Sequence, residues 1–168
     1  MKLISAICAS TLALAGTGTA NATTYTPAGT FVLQGPVVFS KGITLNCTFK
    51  ITFTVPEAAP DAHGAASHGH SASAVPQMLT PASPFCPTVT FSSTPYPVSY
   101  DGTNLTLSGV IVNTTFSGTG CAGPLSGVWN NMTKKLTLNA SIPSSGPPPC
   151  TIVGVLSLVS GTISITNP

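Results

Sequence analysis

Ile43–Val55, with the sequence ITLNCTFKITFTV, is the stretch that determines the fold class of this chain. Seven apolar residues occupy its odd-numbered positions and six polar residues its even-numbered positions. A period of two over the whole stretch predicts one long strand with a buried face and a solvated face. Lys41-Gly42 forms the turn before it, and Pro56 ends it. Cys47 lies on the apolar face, which favours a buried disulfide.

Segments on both sides of this strand are also rich in the strand formers Thr, Val and Ile. Residues 31–33 and 37–39 flank Gly35-Pro36, which predicts a turn between two short strands. Residues 125–142 alternate around Asn130-Asn131 and predict a hairpin. Because no persuasive helical period follows residue 22, we expect an all-β fold, an antiparallel β-sandwich or flattened barrel stapled by disulfides.

Residues 151–159 differ from the other predicted strands because they are apolar on both faces. Ile152, Leu156 and Leu158 would point to one side, and Val153, Val155 and Val159 to the other. Such a run is typical of a central strand that is covered on each side. The alternative is an exposed apolar strip that meets another molecule.

The first 22 residues have the layout of a secretory signal peptide. Lys2 supplies a positive charge, residues 3–14 are a short apolar run, and Ala20-Asn21-Ala22 is a small-x-small cleavage site. The apolar run is too short to span a membrane. Cleavage after Ala22 leaves residues 23–168, which we expect to form a single all-β domain, secreted and extracellular or attached to the cell surface.

Residues 57–84 are rich in Ala, Pro, Ser, His and Gly and show no strand period, so they predict a long mobile loop. All three histidines, His63, His68 and His70, lie in this segment near Asp61. Imidazoles at this spacing are candidate ligands for Zn, Cu or Ni. A mobile loop lacks the fixed geometry that a metal site needs, so we expect a solvated insertion, no metal site and no cofactor.

Cys47, Cys86, Cys121 and Cys150 remain once the signal, which contains Cys8, is removed. An even number of cysteines in an exported chain predicts two disulfides. Four cysteines allow three pairings, of which Cys47–Cys86 with Cys121–Cys150 is favoured because it joins neighbouring segments. A four-thiolate metal site is the alternative, but no pair has the short Cys-x-x-Cys spacing of such sites.

Charged residues are few, and the chain contains no arginine. Four scattered lysines after residue 22 do not form the basic surface that nucleic-acid binding requires. The acidic residues Glu57, Asp61 and Asp101 lie in a loop or a turn, and no Gly-x-Ser-x-Gly motif is present. We therefore expect a protein that is not an enzyme. Trp129, the only tryptophan, is interpreted as a core residue rather than a sugar platform.

Three stretches resemble a known family: SKGITLNCT at residues 40–48, GVWNN at 127–131, and PCTI at 149–152 before a valine-rich end. They are similar to the bacterial alkane-oxidation activator proteins of the PraB type, over most of the chain after the signal. The Ala/His-rich segment 57–84 departs from the family pattern. The resemblance implies a small exported bacterial protein that promotes the use of long-chain alkanes without oxidising them. The absence of an iron or haem ligand set agrees with this.

Two functional hypotheses follow. In the first, the protein is a secreted accessory factor that acts on hydrocarbon or cell-surface material, with no transmembrane segment in the mature chain. In the second, it is a self-associating β-subunit of surface fibres, an adhesin or biofilm matrix. Residues 23–33, or the strand after Cys150, would then pair with a neighbouring subunit.

Overall fold

The computed structural model describes residues 23–58, 69–80 and 83–167. Its strands are β1 (Thr24–Thr26), β2 (Gly29–Lys41), β3 (Ile43–Val55), β4 (Ala72–Leu79), β5 (Val89–Ser92), β6 (Tyr96–Tyr100), β7 (Asn104–Thr114), β8 (Cys121–Asn130), β9 (Lys135–Ile142), β10 (Cys150–Ser160) and β11 (Ser164–Thr166). One 3-10 turn, Cys86–Thr88, precedes β5, and the described residues contain no α-helix. The prediction of an all-β fold is confirmed.

Eight strands form a closed antiparallel ring in the order β7, β6, β4, β3, β2, β10, β9 and β8, which pairs back to β7. β5 continues along the edge of β7 beyond β6. β1 and β11 form a separate two-stranded sheet. Its residues Tyr25 and Ile165 are buried, Tyr25 Oη donates to the carbonyl of Val98 in β6, and the backbone N of Ile165 donates to Asn131 Oδ1 just after β8, so this sheet packs at one end of the barrel. We call this the β1–β11 end and the opposite one the Lys41 end.

β3 has the bounds that its sequence period predicts, and its odd-numbered residues from Leu45 onward are buried in the barrel. The ring of Phe53 stacks on Phe31 of β2 with centroids 4.6 Å apart, and Phe49 stacks on Phe91 of β5 at 5.6 Å. An eight-stranded barrel is just wide enough for side chains to fill it. Each fully buried Phe contributes about 1.5–3 kcal/mol to folding, so these rings both occupy and stabilise the interior.

The predicted turn at Gly35-Pro36 is wrong, because β2 runs through both residues and pairs with β3 over its whole length. Gly35 is needed for the close approach of β10. A Cβ at this position would lie 2.1 Å from the carbonyl oxygen of Val155. The glycine therefore permits pairing of two strands here rather than a change of direction.

The predicted loop over residues 57–84 is wrong over Ala72–Leu79, which form β4. This strand pairs with β3 along its length and with β6 through Ala72, Ser73 and Ala74. Its alternate residues Ala72, Ala74 and Met78 are buried. The hydrogen-bonding edge of β3 orders a segment whose composition alone favours a loop. Residues 59–68 and 81–82 lie outside the described residues.

Two disulfides join the pairs favoured from the sequence, Cys47–Cys86 with Cα atoms 5.6 Å apart and Cys121–Cys150 at 6.0 Å. All four cysteines are buried. The first links β3 to the 3-10 turn, and the second links the first residues of β8 and β10. Both lie toward the Lys41 end, where they hold the connections between strands.

Candidate functional site

The histidines that are candidate metal ligands are only partly within the described chain. His63, His68 and the nearby Asp61 lie outside it, and His70 directly follows Gly69, which exchanges backbone hydrogen bonds with Tyr25. Within residues 23–58, 69–80 and 83–167, no group of three His, Cys, Asp or Glu side chains is placed to hold a metal ion. In the same part of the chain, no helix is long and apolar enough to cross a membrane.

Trp129 is a buried residue at the β1–β11 end, in agreement with its interpretation as core. Its indole Nε1 donates to Asn131 Oδ1 at 2.9 Å. The same amide oxygen accepts from the backbone N of Ile165 at 3.0 Å, and Asn131 Nδ2 donates to the carbonyl of Ile165. Asn131 therefore links the β8–β9 turn to β11, and Trp129 presents no face for stacking a sugar ring.

Lys41 is the only buried charged side chain among the described residues, with 2% of its surface exposed. Its Nζ donates to Ser144 Oγ at 2.6 Å, to the carbonyl of Gly146 at 2.7 Å and to that of Pro148 at 2.5 Å. All three acceptors belong to the connection between β9 and β10. Sequence reasoning assigned Lys41 only to a turn, because its acceptors lie about a hundred residues later in the chain.

The contact between Lys41 and Ser144 has the distance of a Ser–Lys catalytic pair, and a cavity of about 430 Å³ lies beside Ser144. The hydrogen bonds assign the pair another role. The ammonium uses its three donors on three acceptors, whereas a general base needs a neutral amine facing the hydroxyl. Ser144 Oγ in turn donates to the carbonyl of Gly120 at 2.8 Å. The arrangement is a cross-link that closes the Lys41 end of the barrel.

The second candidate site is an apolar area on the outside of the barrel, formed by Pro36 and Val38 of β2 and Val153 and Val155 of β10. We call these four residues the valine strip. Val38 pairs directly with Val153, and the same register places Pro36 opposite Val155. The three valines are 40%, 44% and 41% exposed, in chain order. A groove of about 370 Å³ runs along the Val38–Val153 pair.

The strands beside the valine strip present uncharged polar side chains. Asn46 and Thr48 of β3 lie next to Val38 and Pro36, and Asn139 and Thr137 of β9 lie next to Val153 and Val155. Amide and hydroxyl groups cost less to bring near an apolar phase than charged groups do. The surface is therefore suited to contact with uncharged, apolar material, and the four residues of the valine strip themselves carry no ionisable or nucleophilic group.

The two alternatives for residues 151–159 each describe part of the structure. β10 is a central strand, paired with β2 on one edge and β9 on the other, and its Ile152 and Leu156 side chains are buried. Its opposite face is not covered by any described residue, because Val153, Val155 and Val159 are exposed. The exposed apolar strip is thus the alternative that the side chains support.

These features define a disulfide-linked β-barrel protein whose interior is occupied by side chains and whose valine strip is exposed on the outside. The family model described as "Alkane oxidation protein activator PraA/PraB-like" matches residues 1–167. The chain belongs to this family. No curated protein and no solved structure shows a significant match to it.

Proposed function

We propose that this protein is an exported, non-catalytic accessory factor that promotes bacterial use of long-chain alkanes by adsorbing to hydrocarbon through the valine strip. Residues 1–22 would direct export and be removed, and residues 23–168 would act as one domain at the cell surface or the hydrocarbon interface. The family's description as an alkane oxidation activator supports the link to alkanes. Oxidation itself is assigned to another protein.

The observation that carries this proposal is the exposure of three valines whose paired neighbours on β3 and β9 are uncharged, while aromatic side chains occupy the barrel interior. An alkane has no polar group to recognise, so its contact must come from apolar surface removed from water. Full burial of a valine is worth about 1.5–3 kcal/mol, so covering its exposed two-fifths contributes roughly 1 kcal/mol. Three valines together strengthen adsorption by about a hundredfold.

The direct test measures adsorption of purified residues 23–168 to hexadecane droplets. The test variant is the triple replacement Val38→Thr, Val153→Thr and Val155→Thr, which keeps β-branched side chains in the strands. We expect it to lose about tenfold in partition to the droplets, because each threonine keeps one of the two methyl groups of valine. The matched control is Val75→Thr, because Val75 is 43% exposed but lies on β4, away from the strip. Equal adsorption of the triple variant and the parent would refute the proposal.

A growth experiment tests whether the protein promotes alkane use from outside the cell. A bacterial strain lacking the gene is grown on a long-chain alkane with and without added purified protein. Rescue by the parent protein but not by the triple valine variant is expected if the factor works from outside the cell. A defect that added protein cannot repair would contradict a diffusible role.

Self-association through a free strand is the alternative function. It requires residues 23–33 or the strand after Cys150 to pair with another copy, but β1 pairs with β11, and β2 and β10 each have partners on both edges. A fibre would then form through the outer faces of the barrel or after opening of the ring. Deleting residues 23–27 tests strand exchange, since it should abolish polymers if β1 links the subunits and should leave droplet adsorption unchanged otherwise.

A further inference from the structure

We propose that the turn between β8 and β9, residues 131–134, is a contact site for an anionic lipid surface. In this proposal Met132 enters the apolar layer while Lys134 and Lys135 contact the negatively charged headgroups. The inference does not depend on the valine strip, which lies on the side of the barrel rather than at its end. It would give the protein a second attachment, to the cell envelope, in addition to hydrocarbon.

Met132 is the most exposed large apolar side chain of the described chain, with 93% of its surface in contact with solvent. A second exposed apolar residue, Val159 of β10, belongs to the same end of the barrel. The backbone N of its neighbour Leu158 donates to the carbonyl of Lys134 at 3.1 Å. Apolar side chains close to lysines are the combination by which interfacial segments enter a headgroup layer, and here the two lysines follow Met132 at positions 134 and 135.

The turn is held in one conformation before any partner binds. Asn130 Oδ1 accepts from the backbone N of Met132 and of Thr133, both at 2.9 Å. Asn131 ties the turn to β11 through its bonds to Ile165. Lys134 has φ 53°, a left-handed conformation that is uncommon for residues other than glycine. Because the turn is already ordered, its contact with a surface loses little conformational entropy.

The β8–β9 turn carries lysine side chains beside its exposed apolar residue, whereas the exposed apolar residue at the Lys41 end has no exposed lysine beside it among the described residues. Lys134 and Lys135 are adjacent in sequence, and neither forms an ion pair with any described residue. Asp101, which precedes the neighbouring β7, accepts hydrogen bonds in its own turn from the backbone N of Thr103 and Asn104. At the Lys41 end Phe85 is 57% exposed, but the lysine there is buried.

The adjacent cations select the partner. A neutral hydrocarbon gains nothing from Lys134 and Lys135, which stay hydrated beside it. An anionic lipid surface attracts each lysine close to it and accepts the methionine at the same time. Burial of Met132 and attraction of the two lysines act together only at a surface that has apolar and anionic groups in one layer.

The test compares binding of purified residues 23–168 to vesicles of phosphatidylcholine alone and of equal parts phosphatidylcholine and phosphatidylglycerol. The charge variant is Lys134→Asn with Lys135→Gln, because asparagine tolerates the left-handed backbone of position 134. The apolar variant is Met132→Ser, and the control is Phe85→Ser at the opposite end. Thermal unfolding of each variant checks that the barrel is intact.

We expect binding to the anionic vesicles only, reduced about thirtyfold in the charge variant and about tenfold in Met132→Ser, and unchanged in the control. Raising the salt concentration to about 0.5 M should weaken the parent and leave the charge variant nearly unaffected. Equal binding to both kinds of vesicle would overturn the proposal, as would full binding by the charge variant. Displacement by inorganic phosphate, but not by chloride at matched ionic strength, would assign the lysines to a free anion and overturn the lipid assignment.

Discussion

Replacing Lys41 with methionine should destabilise the barrel substantially, although the substitution removes a buried charge. Methionine keeps the length of the apolar stem but leaves the carbonyls of Gly146 and Pro148 without the ammonium donor, and it leaves Ser144 Oγ with only the longer bond from the backbone N of Gly146 at 3.4 Å. Each hydrogen bond to a charged group contributes about 1.5–3 kcal/mol in a folded protein. Part of this is offset in the parent by the cost of taking the ammonium out of water.

The net loss is the cost of the three hydrogen bonds removed, at about 1 kcal/mol each. For a chain of this size, about 3 kcal/mol corresponds to a fall in Tm of roughly 9 °C. Ser144→Ala removes one acceptor of the three and should cost about 1–2 kcal/mol, because Gly120 also loses its donor. Lys50→Met, on the outer face of β3, is the matched control and should change stability by no more than about 0.5 kcal/mol.

Thermal and denaturant unfolding of the three variants, with both disulfides intact, gives the comparison. A Tm of Lys41→Met within about 3 °C of the parent would refute the reasoning, because the three acceptors would then find other donors at no cost. An equal loss in Ser144→Ala and Lys41→Met would assign the stabilisation to the hydroxyl rather than to the loop carbonyls.

Three further predictions concern the barrel itself. Gly35→Ala should lower the free energy of unfolding by more than about 3 kcal/mol or prevent folding, because its Cβ meets the Val155 carbonyl. Gly109→Ala, at φ 69° in open space, should lower it by about 1–2 kcal/mol. Equal losses in denaturant unfolding would contradict the close approach of β10 to Gly35. Replacing both Cys47 and Cys86 with serine should lower the free energy of unfolding by about 4 kcal/mol, a value that follows from the 39-residue separation of the two cysteines. An unchanged midpoint of denaturation would exclude a stabilising role for this disulfide. Burial raises the pKa of Tyr25 from 10.0 to about 12, so its stabilising contribution is complete below pH 10 and is lost as the pH rises through 12. The free energy of unfolding measured over this range should therefore fall less in Tyr25→Phe than in the parent. The same pH dependence in both proteins would contradict a raised pKa at Tyr25.

The parts of the fold that were predictable are those in which one strand carries its own periodic signal. β3 alternates without exception, so its bounds could be predicted, and the hairpin formed by β8 and β9 is indicated by the apolar alternation around Asn130-Asn131. β4 has the same period but carries alanine and proline, residues that disfavour strands in isolation. It becomes a strand because two neighbours supply its hydrogen bonds, which its own composition does not reveal.

The candidate sites, like the strands, could be predicted only where the signal lies within one segment of the sequence. An exposed apolar face formed by Val153, Val155 and Val159 is one of two alternatives that the sequence leaves open for residues 151–159, because a sequence shows that a strand is apolar on both faces but not whether anything covers the second face. Gly35-Pro36 has the composition of a turn, and only the presence of β10 opposite explains its extended backbone. The burial of Lys41 depends on a loop that comes much later in the chain, so no local pattern could have indicated it.

The pairing of β1 with β11 and of β2 with β10 sets the order in which this protein can fold. β2 pairs along one edge with the adjacent β3, but its other edge and β1 find their partners only when β10 and β11 have been made. Contacts between segments so far apart in the chain form slowly, since the intervening loop has to be closed first. The ring therefore has an open edge at β2 until β10 is available, and an open edge of this kind can pair with another chain in the meantime.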